Sequence, residues 1–257
     1  QIGHVMKCFY KTYKNKENIK TLKYSLGFNG YMDNLLAIQN NLSSRKINKC
    51  KIGKKITKFK NAYYPAIPRE SVIKNSYNLK KHIVITGPNA AGKTTILKTT
   101  LFNIILSQQI GCGFYSSALI APYDKIHCYI NIPDTSGRDS LFQAEARRCK
   151  TILDNTKNKK RHFCIFDELF SGTNPYEAIG SATAFMKYLN KNNKMDYIIT
   201  THFLNICSLL EKDPLISNMH MKIITNKEDN NTSDTKNETK NETKNETKDG
   251  FVYTYKL

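Results

Sequence analysis

Three short segments combine residue types that do chemistry. The first, Thr86-Gly-Pro-Asn-Ala-Ala-Gly-Lys-Thr-Thr95, satisfies G-x-x-x-x-G-K-[ST] at Gly87, Gly92, Lys93 and Thr94. Glycines there let backbone N–H groups converge on phosphate oxygens. A helix starting at Lys93 adds its positive end, Lys93 reaches the β- and γ-phosphates, and the Thr94 hydroxyl suits Mg²⁺. The second, Phe163-Cys-Ile-Phe-Asp-Glu168, is an apolar run ending in two acids. It puts Asp167 near a metal shell and Glu168 where a carboxylate orients or deprotonates water. The third, Ile199-Thr-Thr-His202, ends another apolar run in an imidazole able to sense a terminal phosphate. Adjacent acids can also cap a helix, and a lone histidine is often structural; the three segments together describe hydrolysis of ATP.

Each segment needs a strand that delivers it and a helix that follows. His82–Thr86 reads as a buried strand, 93–109 as a helix, and 127–132 as a strand. Leu141, Phe142, Glu145, Ala146, Cys149, Ile152 and Leu153 share one face of a second helix. His162–Phe166 reads as a strand, Pro175–Leu189 as a helix, and 196–200 as a further strand. The alternation predicts an α/β fold with a mixed, largely parallel sheet flanked by helices. Before it, Tyr31, Leu35, Leu36, Ile38 and Leu42 mark a short N-terminal helical segment, and 46–60 reads as linker or short strands. Beyond it, 219–225 and 251–256 read as a hairpin, interrupted at about 226–249 by a Thr-Lys-Asn-Glu repeat too polar to bury itself.

The 257 residues carry 40 Lys+Arg against 21 Asp+Glu, a formal charge of +19. Only six of the basic residues are Arg, a Lys-rich bias that an AT-rich coding sequence produces by itself. Residues 1–60 hold +12 of the charge, so the basic N-terminus is either a nucleic-acid contact or a solvated face. With 40% hydrophobic residues the chain is not wholly disordered. No apolar run nears the roughly 18 residues of a membrane span and no signal-peptide pattern opens the chain. The seven cysteines lie far apart with no C-x-x-C pair, which predicts reduced thiols in an intracellular protein. A first residue of Gln points to a fragment or a processed chain.

The motifs resemble the ATPase domain of the MutS mismatch-repair family, a branch of the ABC-type ATPases. Similar segments are the phosphate loop with Asn89, Gly111-Cys112, Asp124–Asp134, Ser140-Leu-Phe-Gln-Ala-Glu145, Phe166-Asp-Glu-Leu-Phe-Ser-Gly-Thr-Asn174, Thr200-Thr-His-Phe203, and Asn218–Met221 with Phe251–Leu257. The resemblance implies a P-loop NTPase fold over 61–257, preceded by a remnant of the core and clamp region over 1–60. It implies ATP held by Gly87, Pro88, Asn89, Ala90, Ala91, Gly92, Lys93, Thr94, Thr95 and Asn75, with Mg²⁺ on Thr94 and Asp167. Lys93, Glu168 and His202 would act in hydrolysis. Ser140 would contact the γ-phosphate of a second copy or paralogue in a composite dimer, crossed by the Ser171–Asn174 loop. Double-stranded DNA would be engaged through the full-length protein. An L-S-G-G-Q signature is absent, unlike in transporters. Three residues depart from the family: Leu141 replaces the signature Thr, Tyr64-Pro65 replaces His-Pro, and Val72 stands where an adenine-stacking Phe is usual, leaving Tyr64 or Tyr77 to supply a ring. Two alternatives share the fold: a nucleotide-gated scaffold with little hydrolysis, and an ATPase acting in recombination rather than mismatch repair.

Overall fold

The computed structural model describes residues 1–68, 70–130, 140–158, 160–225, 251–254, 256 and 257. The chain divides into two compact units, Gln1–Ile47 and Asn48–Leu257.

The first unit is helical, with α1 (Ile2–Lys14) and α2 (Lys16–Ser43). Asn15 separates them: its side chain accepts from the backbone N–H groups of Glu17 and Asn18 and so caps α2. The short stripe read from Tyr31 to Leu42 is thus the end of a 28-residue helix. On α1, Ile2, Val5, Met6, Phe9, Tyr10 and Tyr13 recur at helical spacing and all are exposed. The boundary falls before residue 60 because residues 48–62 form strands of the second unit.

In that unit a five-stranded sheet runs β10-β4-β9-β8-β7, every neighbouring pair parallel. The strands are β4 (His82–Thr86), β7 (Lys125–Tyr129), β8 (His162–Asp167), β9 (Met195–Thr201) and β10 (Ile216–His220). Side chains alternate across the sheet, as strand geometry requires. Ile83, Ile85, Phe163, Ile165 and Ile198 enter one core, while Val84, Cys164, Phe166, Tyr197 and Ile199 enter the other. Both faces being covered explains why these segments read as continuous apolar runs.

The helices α4 (Leu141–Asn155), α5 (Pro175–Leu189) and α6 (Leu204–Leu210) supply the second core, through Cys149, Ile152, Ala182, Met186 and Ile206. The first core is closed by α3 (Lys93–Ile110) and by a mixed sheet, ordered β3-β2-β6-β1-β5. Its strands are β1 (Asn48–Ile52), β2 (Lys58–Ala62), β3 (Asn75–Asn78), β5 (Cys112–Gly113) and β6 (Ser117–Ile120). The region read as linker or short strands therefore contributes two of the five strands of a second sheet, β1 and β2. Phe59, buried against Tyr77 and Tyr115, is its apolar anchor among alternating lysines.

The anticipated terminal hairpin is divided between two sheets. Residues 216–220 add in parallel to β4, and the Met221 N–H bonds the Thr86 carbonyl at 3.0 Å. Only then does β11 (Ile223–Thr225) pair antiparallel with β12 (Phe251–Tyr253). The expected insertion at 226–249 and the end of the strand read as 127–132 lie outside the described residues. All seven cysteines are free thiols; Cys112, Cys149 and Cys164 are buried, while Cys8 and Cys128 are exposed. Among the described residues no helix is long and apolar enough to cross a membrane.

At the far end of the sheet His127 Nε2 lies 3.0 Å from His162 Nδ1, whose Nε2 lies 2.9 Å from the Asn158 amide oxygen. That oxygen only accepts, so His162 carries its proton on Nε2 and accepts from His127; protonating Nδ1 would break the pair. Burial foremost, then the charges of His162, Arg148 and Lys125, pulls His127 down from 6.5 to about 4. Burial also lowers His162, against the opposing pull of Asp124. Both pKa values being depressed in the folded state, the unfolded chain takes up protons first as pH falls below about 6.5, and stability declines towards pH 4. Thermal unfolding across this range should show His127→Gln losing less stability than the unaltered chain; equal slopes would remove the pair from the pH response.

Candidate nucleotide site

The parallel register of β4, β8 and β9 sets their carboxyl ends side by side, with Thr86 opposite Thr201 and Asp167 opposite Thr200. Loops leaving such ends open into the crevice where α/β sheets bind ligands. Every residue of β4 is buried, and the chain then turns through Gly87 into α3.

Two glycines make the turn feasible. Gly87 has φ +153°, and a Cβ there would meet the Met221 Cβ at 3.0 Å. Gly92 has φ +92° and is the N-cap of α3, a left-handed conformation that side chains resist. Between them Pro88, Asn89 and Ala90 are exposed, Ala90 has φ +63°, and Ala91 is buried. The first N–H groups of an 18-residue helix therefore stand at the turn without helical acceptors, a natural anion seat.

Lys93, the first residue of α3, is 4% exposed and folds back over the turn. Its Nζ donates to the carbonyls of Gly87 at 2.9 Å and Pro88 at 3.0 Å, and lies 3.5 Å from Glu168 Oε1. Thr94 donates its hydroxyl to Asp167 Oδ2 at 2.8 Å. The other carboxylate oxygen of Asp167 accepts from the Thr200 hydroxyl at 2.6 Å. Hydroxyl and carboxylate oxygens in one cluster suit a small hard cation such as Mg²⁺. Among the described residues no three His, Cys, Asp or Glu side chains gather as a self-sufficient metal site. A cation held by Thr94 and Asp167 would thus need further oxygens from water or substrate.

Glu168 follows Asp167 with φ +51°, a left-handed backbone that costs a non-glycine residue about 1 kcal/mol or more. Its N–H donates to the Thr200 carbonyl at 3.1 Å and lies 3.2 Å from the Thr200 hydroxyl, fixing the bend. The bend turns the carboxylate to Lys93 on one side and to His202 Nδ1, 3.3 Å away, on the other. Side chains of Glu168 and His202 remain 34% and 38% exposed, so water reaches both.

Lys93, Thr94, Asp167, Glu168 and His202, read as separate motifs, thus form one cluster. Thr200 belongs with them although sequence reading gave it no role; its only signal was a hydroxyl residue at a strand end two places before His202. Beside Gly92 lies a cavity of about 220 Å³ lined by Ile67, Ser71, Ile73, Asn75, Thr95, Ile96 and Thr99. Asn75 is buried at its edge and accepts from the Leu257 N–H at 2.8 Å. Of the two anticipated rings, Tyr77 is a core residue, packed on Phe59 with its hydroxyl 2.8 Å from that of Thr100. Tyr64 packs against Phe102. The apolar walls come instead from Ile67 and Ile73, which no motif singled out. Ser140 stands apart: it is exposed, caps α4, and its hydrogen bonds form a reciprocal pair with Gln143.

The profile of MutS domain V matches residues 83–247, more than half of the chain. The chain is 29% identical over 178 residues, 68% of its length, to the DNA mismatch repair protein MutS of Acholeplasma laidlawii. It is 32% identical over 148 residues, 56% of its length, to the protein of that name from Fusobacterium nucleatum. With that of Orientia tsutsugamushi it shares 34% over 160 residues, 60% of its length. These matches span 21%, 16% and 18% of the respective relatives, about a fifth of each. The matched residues contain the Gly87 turn, the Asp167-Glu168 pair and His202 together, and the chain belongs to the MutS family through this domain V.

Proposed function

We propose that this domain binds and hydrolyses ATP as the P-loop, ABC-type ATPase part of a MutS-like mismatch-repair protein. The observation carrying the reading is the Asp167 carboxylate, shared between the Thr94 and Thr200 hydroxyls, with Glu168 and His202 beside it and the Gly87–Gly92 turn in front.

In this reading each residue has a role that the geometry around Asp167 or the family resemblance supports. Backbone N–H groups from Gly87 to Thr95 bind the β- and γ-phosphates, and Lys93 exchanges the Gly87 and Pro88 carbonyls for phosphate oxygens. The base lies in the cavity between Ile67, Ile73 and Asn75, a location supported by its continuity with Gly92 and Thr95. Thr94 and Asp167 would hold Mg²⁺, which would neutralise charge developing on the phosphates. As Lys93 moves onto phosphate, Glu168 becomes available to orient and deprotonate the attacking water. His202, 3.3 Å from the same carboxylate, reports the state of the terminal phosphate to β9. Ser140, exposed at the start of α4, serves the nucleotide of a second copy or paralogue. ATP binding closes that composite dimer and hydrolysis releases it, the rest of the full-length protein carrying the change to double-stranded DNA.

Glu168→Gln should retain ATP while phosphate release falls by about a hundredfold or more. Turnover at the unaltered rate would remove Glu168 from its role. Thr200→Val keeps the shape of the buried side chain but takes one donor from Asp167. It should lower stability in urea unfolding by about 1–2 kcal/mol and reduce turnover more than ATP affinity; a chain indistinguishable in both would make the Thr200 contact incidental.

A further inference from the structure

Glu145 is the only acidic side chain among the buried described residues, 2% exposed and one and a half turns into α4 from Ser140. A carboxylate so placed must be satisfied by donors. No Lys or Arg pairs with it among the described residues. Its partners come instead from the loop after Glu168. Oε1 accepts from the Ser171 N–H at 3.1 Å and the Ser171 hydroxyl at 3.3 Å, and Oε2 accepts from the Gly172 N–H at 3.2 Å. Tyr129, buried nearby, has its hydroxyl pushed well above the ordinary range by burial first and by the Glu145 charge next.

A second fastening lies beside the first. A Cβ at Gly172 would come within 2.6 Å of Leu141 Cγ and 2.8 Å of Leu141 Cβ, so the glycine lets the loop rest directly on the first residue of α4. At its far end the loop is tied to α5, where Asn174 accepts from the Glu177 N–H at 3.0 Å and the Thr173 hydroxyl donates to the Glu177 carboxylate. Ser171 and Gly172 nevertheless remain exposed, like Ser140. The loop is therefore pinned from beneath and open on its outer side.

We propose that Glu145 is a positioning residue that locks the Ser171–Asn174 loop to the start of α4, so that Ser140 and the loop meet the partner subunit's nucleotide as one rigid element. The proposal rests on the composite-site reading above. Glu145 touches no nucleotide itself; it acts through where it holds Ser140 and Ser171. Removing its charge should leave nucleotide binding within the same subunit intact and impair only the service given to the partner.

The test uses the purified full chain, with ATP turnover followed against protein concentration, a fluorescent ATP analogue reporting binding, and thermal unfolding reporting fold. Glu145→Gln should bind the analogue within about twofold of the unaltered chain and keep its KM for ATP. Its kcat should fall about tenfold to a hundredfold, the scale of a misplaced contact. Mixing it with Lys93→Ala, itself inactive, should restore turnover, because the intact turn of one subunit then faces the intact α4 of the other. Loss of analogue binding in Glu145→Gln, normal kcat, or no recovery on mixing would each overturn the proposal. Should Glu145→Gln fail to fold, Gly172→Ala, which pushes the same loop off Leu141, is read in the same way. An unaltered chain whose specific activity does not rise with concentration would instead overturn the composite site, and the role of Glu145 with it.

Discussion

The organisation of the site depends on one carboxylate. Asp167 terminates β8 and divides its two oxygens between Thr94, at the start of α3, and Thr200, at the end of β9. These groups arrive from three separate stretches of chain, and only the parallel registry of adjacent strands brings them within hydrogen-bond distance. Once Asp167 is held on both sides, the chain beyond it has little freedom, and the left-handed Glu168 is bent towards Lys93 and His202. The strain at Glu168 is tolerable because the Thr200 carbonyl and hydroxyl receive its N–H. Thr200 thus serves both sides of one bend, which is why it matters more than its place in a four-residue motif suggests.

The residues proposed to do the chemistry were legible because their types are constrained by that chemistry itself. A phosphate cradle needs glycine at fixed spacing, and a buried strand ending in acids is rare without a purpose. Five-residue apolar runs such as His82–Thr86 also announce strands covered on both faces, and the alternation of Ile83 and Ile85 against Val84 bears this out. What escaped was set by partners distant in sequence. The segment 48–62 is lysine-rich, and its one deeply buried aromatic, Phe59, signals a strand only once Tyr77 and Tyr115 are seen around it. The walls of the cavity beside Gly92 are ordinary isoleucines, which carry no motif. Tyr77 offered a ring of the right chemistry and was claimed by the core.

Leu141 shows how a departure from a family pattern can be read physically. As a missing hydroxyl it is a loss at the start of α4. Packed on Gly172, it is also a gain, an apolar seat for the loop that Glu145 holds by its N–H groups. The +19 charge resolves differently: residues 1–60 hold +12 of it, including Lys58 and Lys60, which stand exposed on either side of the buried Phe59 in β2. In the first unit, lysines such as Lys7, Lys11 and Lys14 share α1 with an exposed apolar face.

The pairing of β4 has a further consequence for how the domain comes to exist. Its neighbours on either side are β9 and β10, residues 195–201 and 216–220, and Met221 closes against Gly87. A chain emerging from the ribosome therefore presents its glycine turn more than a hundred residues before the strands that flank it are made. Such non-local pairing is entropically slow to form. The turn from Gly87 to Gly92 is made long before the strands that flank it, and until residue 221 has emerged it is a sequence without a geometry.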